Sequence, residues 1–187
     1  DTAWVRMYSG DTHASSRASK VAVDRDGCVF VCGTVANVAT GDDLIVLKYS
    51  SHGELLWEAI YSTPLKDEAV DVEISDDGGV FVAGNTVSPV TGSNWVIVRL
   101  DSLGEALWTH VYDAFSGDDR CYAMEIDESG GAYLAGSATC PATESEYKVV
   151  NINSEGDLAW QSSFPPTLST TDVAIELRRD GEGHIFV

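Results

Sequence analysis

The chain has 187 residues, 44% apolar and 22% charged, which is the composition of a globular protein and not of a disordered one. Eleven lysines and arginines stand against thirty aspartates and glutamates, and this formal net charge of −19 repels phosphate backbones and anionic lipids. No apolar run approaches the roughly 18 residues of a membrane span, so the sequence predicts no nucleic-acid partner and no membrane insertion.

A tryptophan returns four times and divides the chain into repeats. The tryptophans are 53, 51 and 52 residues apart, and they are Trp4, Trp57, Trp108 and Trp160. The last three each follow a glycine by four residues, and these glycines are Gly53, Gly104 and Gly156. A repeat of this length is typical of β-propeller blades. The repeat units are 4–56, 57–107, 108–159 and a partial unit, 160–187.

Each unit contains short apolar runs separated by turn residues. The first unit predicts strands around 20–24, 28–34, 44–49 and 55–61, after an outer strand at 4–8. The runs are rich in Val, Ile, Tyr and Phe, and none has a helical period. The sequence therefore predicts an all-β fold, a β-propeller of four-stranded antiparallel blades near 18–62, 68–113 and 121–164. Two strands of a fourth blade follow, which gives about three and a half blades and fifteen strands.

The fourth unit contains only two predicted strands. An unclosed ring exposes strand edges, and such edges pair with other strands. We therefore expect the remaining blades of a longer propeller, or other copies of the chain, as partners. The chain starts at Asp1 and not at methionine, so we expect a processed product or a piece of a longer protein.

The repeated motif resembles the SBBP family of β-propeller repeats over essentially the whole chain. The motif is D-G-x-x-F-V-x-G-x-T, an apolar strand ending in K-Y or R-L, and D-S-x-G-x-x-x-W-x-x-x-Y. Its best copy runs through 75–86 and 99–108. The first unit departs from it with Y-S-S-H at 49–52. The resemblance implies a secreted or surface-exposed protein without a family-wide catalytic set.

A second and weaker resemblance links 100–108 to the tryptophan-docking motif of quinoprotein propellers. The alanine and the Thr-Gly pair of that motif are missing, and so is a pair of neighbouring cysteines. We therefore expect no quinone cofactor. A quinoprotein-like propeller enzyme, with its site on the face of variable loops, is the alternative to a protein without catalysis.

The tryptophans are predicted to pack between blades, each stacking on a short glycine turn. A carbohydrate-binding platform is the alternative role, because aromatic rings bind sugars when they are exposed. The regular period favours packing.

Acidic turns recur once in each blade and would lie on one face of the propeller. Aspartate in such turns accepts hydrogen bonds from its own backbone, which is the structural interpretation. Calcium is the alternative, because it prefers several carboxylate oxygens. The calcium candidates are Asp24, Asp26, Asp76, Asp77 and Asp127. The D-R-D-G turn lacks the remaining ligands of a full calcium loop, so we expect no resident metal.

Longer and more variable loops should collect on the opposite face, where loops can carry function. Their acidic residues predict a negative rim that binds a protein or carbohydrate ligand. The rim residues are Asp11, His13, Asp42, Asp43, Asp118 and Asp119, joined by Glu68, Glu144 and Glu146.

Cysteines provide one candidate disulfide. Cys121 and Cys140 flank a hairpin whose turn is predicted near 128–131, so they could face each other and indicate an oxidising compartment. The alternative is two small buried hydrophobic residues. Cys28 and Cys32 would lie about 13 Å apart on one strand, too far to pair with each other.

Catalytic motifs are missing from the sequence. Asp11, His13 and Ser15 share one loop, but a catalytic triad is defined by its geometry and not by closeness in sequence. We therefore predict a non-enzymatic, extracellular or surface-exposed propeller that acts as a binding or scaffold module, without a cofactor.

Overall fold

The computed structural model describes residues 3–10, 15–115, 117–140, 144–164 and 173–187, with only the backbone of Cys140 and Glu144. Across these ranges every regular secondary-structure element is a β-strand, and no helix that could cross a membrane occurs in them. Twelve long strands form three antiparallel sheets, each with its four strands side by side in chain order. The predicted all-β fold of four-stranded propeller blades is confirmed.

The strand bounds follow the predicted repeat. Blade 1 consists of β1 (Ser16–Val23), β2 (Val29–Asn37), β3 (Gly41–Tyr49) and β4 (Leu55–Tyr61). Blade 2 consists of β5 (Asp67–Ile74), β6 (Val80–Ser88), β7 (Gly92–Leu100) and β8 (Ala106–Tyr112). Blade 3 consists of β9 (Arg120–Ile126), β10 (Ala132–Cys140), β11 (Glu144–Ile152) and β12 (Leu158–Phe164). A short pair, β13 (Arg178–Arg179) and β14 (Ile185–Phe186), begins a fourth blade.

The blades stack through their faces. We call the side of a blade that meets the preceding blade its leading face, and the other side its trailing face. Because side chains alternate along a strand, each β-strand contributes to both faces. Phe30 and Val46 on the trailing face of blade 1 pack with Val82 and Val98 on the leading face of blade 2. All four side chains are buried, so the core lies between the blades.

Seven short turns share one geometry and lie on one side of the blades, which we call the turn face. Each begins with Asp, Asn or Ser, whose side chain or backbone closes the turn, and each ends three residues later in glycine. In the turn before β8, Asp101 Oδ1 accepts the backbone N–H groups of Leu103 and Glu105 at 2.8 and 2.9 Å. Gly104 has a φ of +88°, a conformation that glycine adopts without steric cost. The opposite side, with the longer connections, is the loop face.

A tryptophan in the outer strand of one blade docks on the glycine turn of the next. The indole N–H of Trp57 donates to the carbonyl oxygen of Ser102 at 3.1 Å, and its ring lies against Gly104. The same contacts join two further groups, Trp4 with Ser51 and Gly53, and Trp108 with Ser154 and Gly156. These three tryptophans therefore pack as predicted.

Trp160 occupies the equivalent position in blade 3 without such a turn against it in the described residues. Its ring contacts Tyr133 with 5.9 Å between centroids, and the residue remains 43% exposed. Trp160 therefore lies on an open trailing face.

The predicted outer strand at 4–8 is wrong as a strand. The segment docks through Trp4, but no strand pairs with it in the described part of the chain. The described strands number fourteen and not fifteen.

The predicted Cys121–Cys140 pairing is also wrong. Cys121 lies opposite Gly136 in the β9–β10 register, and its thiol is free. Cys140 is four residues further along β10 and lies opposite Glu144 of β11. A bulge beside Ala135 shifts the register, and four residues of strand separate Cys140 from the partner of Cys121 by about 13 Å. Cys121 is instead a buried apolar residue in the core between blades 2 and 3.

Candidate functional site

The acidic residues of the turn face close their own turns. Asp24 Oδ1 accepts the N–H groups of Asp26 and Cys28 at 3.0 and 2.8 Å. Asp127 Oδ1 accepts the N–H groups of Ser129 and Gly131 at 2.8 and 2.9 Å. These bonds match the structural interpretation of the turns.

Calcium finds no ready ligand set in the described ranges, where no group of three acidic, histidine or cysteine side chains is placed to hold a metal ion. Asp77 is held by Arg99, and the exposed Asp76 pairs with Arg25. Asp26 is exposed on its turn. Within the described part of the chain, the candidate calcium residues therefore form no group of three placed to hold a metal ion.

A cavity of about 470 Å³ opens on the turn face between blades 2 and 3, and we call it the turn-face cavity. Its volume lies within the range of small-molecule and side-chain pockets. Two arginines contribute to it, Arg99 from β7 and Arg179 from β13. Five carboxylate side chains also line it, and they are Glu73, Asp76, Asp77, Asp127 and Glu128.

Both arginines of the turn-face cavity are already paired with acids. Arg99 Nη2 donates to Asp77 Oδ2 at 3.0 Å, and its guanidinium lies over the ring of Phe81 at 5.0 Å. Arg179 Nη1 lies 3.7 Å from Glu128 Oε1. The acids exceed the arginines by three, so the cavity attracts a positively charged group.

Hydrogen bonds keep two of these carboxylates ionised. The Ser75 hydroxyl and the Gly79 N–H lower the pKa of Asp77, with a further contribution from Arg99. Burial alone would raise the pKa of Asp127, but hydrogen bonds from Ser129 and Gly131 outweigh it and lower that pKa. Both side chains therefore carry their charge at neutral pH.

Glu73 is the carboxyl group of the cavity with the most perturbed titration. Burial, together with the carboxylates of Glu125 and Asp71, raises the pKa of Glu73 to about 7. A raised pKa in the folded state means a stabilising contribution at acidic pH that is lost as the pH rises through about 7. A cation placed beside Glu73 would reverse this loss, because it favours the ionised form.

The predicted rim on the loop face is wrong for two of its residues. Asp43 and Asp119 are 1% and 0% exposed, so neither carboxylate can meet a ligand. Asp43 accepts hydrogen bonds from the Thr40 and Ser62 hydroxyls at 2.9 and 2.8 Å. Buried carboxylates need such partners, and here they order the loops.

The other rim residues differ in accessibility. Asp42 is half-buried, and Asp118 is exposed while its Oδ1 accepts the Ser93 N–H at 3.1 Å. Glu68 pairs with Arg17 and Lys66 at 3.3 and 2.6 Å. Three predicted rim residues lie outside what the structure describes, namely Asp11, His13 and the side chain of Glu144. Glu146 is buried, with Lys148 3.9 Å away.

Arg99, Arg179 and Glu73 were not among the predicted site residues. Arg99 is the arginine of the R-L ending in the repeat motif. In the sequence it indicated only the end of a strand and not a binding site. Glu73 and Glu125 occupy the same position in the innermost strands of adjacent blades, 52 residues apart. Equivalent positions in adjacent blades of a propeller lie close together, so this spacing could have placed Glu73 beside Glu125.

Comparisons with protein-family models and with curated proteins give no match. Among solved structures, the chain resembles an ACO/RPE65 chimera at 12% identity with a TM-score of 0.50, over 79% of this chain and 39% of that chain. A mutant of Synechocystis apocarotenoid oxygenase gives 13% identity and a TM-score of 0.46, over 79% and 38%. A protein of unknown function from Bacteroides caccae gives 14% and 0.31, over 83% and 71%.

The chain thus spans about two fifths of the length of the first two structures. At 12% identity, the match to the chimera supports a shared arrangement of β-blades and nothing about activity.

Proposed function

We propose that the chain is a non-enzymatic β-propeller module, extracellular or exposed on a cell surface, that binds a basic side chain of a partner protein in the turn-face cavity. The supporting observation is the cavity of about 470 Å³ lined by five carboxylates and two arginines that are already paired. The oxygenases among the similar structures do not argue for catalysis here, because fold likeness at this identity does not carry activity.

The charge of the whole chain supports the same partner. A net charge of −19 steers basic proteins toward the surface, and a cavity of the same sign then gives them a specific place to bind. The two arginines restrict where a basic group can bind, because each occupies oxygens of the acid that it pairs with, Asp77 or Glu128. A ligand can reach only the remaining carboxylate oxygens. A lysine or arginine side chain has the length and charge to enter such a cavity.

Binding of tetralysine, measured by isothermal titration calorimetry, tests this function. We expect the variant Asp76→Asn/Glu128→Gln to bind about five- to tenfold more weakly than the wild type at low salt, because two cavity charges are lost. Both side chains are highly exposed, at 83% and 87%, so their loss should leave the fold intact.

The matched control is Asp26→Asn/Glu155→Gln, which removes two exposed turn charges away from the cavity. Its affinity for tetralysine should stay within about twofold of the wild type. An equal loss in both variants would show that tetralysine follows the net charge, and the proposed function would then be wrong.

A second candidate function, self-assembly as a scaffold, follows from the open trailing face of blade 3. On blade 2 the equivalent face contains Phe81, Trp95 and Tyr112, all buried beneath blade 3. On blade 3, Trp160 and Phe164 are 43% and 45% exposed. Residues 173–187 cover part of this face, where Ala174, Leu177 and Ile185 pack against it.

We propose the leading face of blade 1 in a second copy as the occupant of this surface, with the incoming blade displacing the Trp4 and Tyr8 side chains that cover Leu47 and Tyr49 in the single chain. Val31, Leu47 and Tyr49 hold the positions there that Val82, Val98 and Leu100 hold on blade 2. A cavity of about 200 Å³ beside Trp4 leaves room on that leading face.

Sedimentation equilibrium tests the assembly. We expect the mass of the wild type to rise with concentration, and the variant Trp160→Asp to remain a monomer, because a charge on this apolar face opposes its burial. The control Leu103→Asp changes a leucine that is 73% exposed on a turn and should associate as the wild type does. A wild-type chain that stays monomeric at every concentration would contradict self-assembly.

A further inference from the structure

A second cavity lies between blades 1 and 2, away from the turn-face cavity. It has a volume of about 310 Å³. Its floor consists of buried aliphatic side chains, namely Leu44, Val46, Val82, Val98 and Leu100. Its walls contain Ala59 and Glu58 of β4, Thr109 of β8 and Glu105 just before β8, and both strands are outermost in their blades. We call it the inter-blade cavity.

The same space between blades 2 and 3 is closed. The equivalent residues line it, yet it leaves no volume for even a water molecule. Four of the equivalent side chains are larger there; Ile97 and Leu134 replace Val46 and Val82, and the other two changes are the largest. Trp95 stands where blade 1 has Leu44, and His110 stands where blade 1 has Ala59, each 51 residues later in the chain.

Leu44 and Trp95 are placed in the same way in their two interfaces. A Cβ placed on Gly84 would be 3.0 Å from Leu44 Cδ1, and one placed on Gly136 would be 2.6 Å from Trp95 Cζ2. Each side chain thus covers the glycine in the second strand of the next blade. Blade 1 therefore lacks the aromatic volume that blade 2 supplies from its own sequence.

The closed interface also indicates what kind of molecule suits the open one. There an indole lies between the blades, 5.3 Å from the ring of Tyr112, and its N–H donates to the carbonyl oxygen of Ser137 at 3.3 Å. In the open interface, Tyr61 holds the position of Tyr112 and Thr109 adds a hydroxyl at the exposed side. The apolar floor of such a cavity suits a small aromatic molecule, while Glu58 and Glu105 line its exposed side.

We propose that the inter-blade cavity is a binding site for a small planar aromatic molecule of about the size of indole. The site is separate from the turn-face cavity and does not depend on the partner proposed there. Its specificity comes from the aliphatic floor of Leu44, Val46 and Val98, and Glu58 and Glu105 at the exposed side disfavour anionic ligands. The ligand completes the packing between blades 1 and 2 as Trp95 and His110 complete it between blades 2 and 3.

Indole is the probe, and its binding to the whole chain is measured by saturation-transfer NMR and calorimetry. We expect one saturable site in the wild type. The variant Leu44→Trp/Ala59→His, which copies the closed interface, should bind indole at least about tenfold more weakly. Ala59→His alone changes a half-buried residue of an outer strand, and it should weaken binding in the same direction if the double variant fails to fold.

The reverse variant His110→Ala opens the closed interface and should gain a second indole site of lower affinity. Absence of saturable indole binding by the wild type would overturn the proposal. Undiminished binding by a folded Ala59→His variant would overturn it as well, because the indole would then lie elsewhere.

Discussion

Replacing Gly104 by alanine is expected to destabilise the protein by about 2–5 kcal/mol. The residue has a φ of +88°, where an alanine costs about 1–2 kcal/mol. Its new Cβ would also lie 2.8 Å from Trp57 Cδ2, a distance that forces the docked indole away from the turn. Overpacking of this kind adds about 1–3 kcal/mol. Urea unfolding measures the loss.

Gly78→Ala separates the two contributions to that loss. Gly78 has a φ of +81° in the same kind of turn, but its nearest neighbour would be Ser102 Cβ at 3.7 Å, an ordinary contact. This variant should lose only the backbone contribution of about 1–2 kcal/mol. If Gly104→Ala and Gly78→Ala lose the same free energy of unfolding, the contact between Trp57 and the glycine turn does not stabilise the packing of the blades.

Removing the carboxylate of Asp119 is expected to be nearly as costly. The side chain is 0% exposed, and its two oxygens accept the N–H groups of Ala114 at 2.7 Å and Thr139 at 3.1 Å. Asp119→Ala removes the acceptor of both N–H groups, at about 1–2 kcal/mol each because both hydrogen bonds are partly buried. We expect a loss of about 2–4 kcal/mol in the free energy of unfolding, measured in urea.

Asp118→Ala is the matched control, one residue away and exposed. Among the residues that the structure describes, its carboxylate accepts the Ser93 N–H at 3.1 Å, and the residue is exposed. The loss should therefore stay below about 1 kcal/mol. A loss equal to that of Asp119→Ala would mean that the hydrogen bonds of the buried carboxylate do not stabilise the loop face.

The features that repeat at a fixed period were predictable from the sequence. Trp57 and Gly104 recur with the same spacing in each unit, so their contact follows once the units are read as blades. The twelve strands of the three blades were predictable for the same reason, because each lies between the same turn residues. The segment at 4–8 carries the same tryptophan and aromatic, but a strand also needs a hydrogen-bonding neighbour.

Features that depend on exact register were not predictable from residue spacing. Counting from the centre of the hairpin placed Cys121 near Cys140, but a bulge in the innermost strand and the true pairing set it opposite Gly136. Asp42 and Asp43 are adjacent and chemically identical, yet strand alternation turns only Asp43 into the interior. The turn-face cavity joins residues from β7 and β13, which lie about 80 residues apart and share no motif.

The tryptophan contact gives the stack a polarity. A blade offers its indole on one side and its glycine turn on the other, so the two sides are complementary and neither complements itself. Two identical sides brought together by a twofold axis would therefore leave both indoles without an acceptor. Any blade that joins this stack has to enter in the same orientation as its neighbours. The stack is therefore directional, as a filament is when its two ends differ.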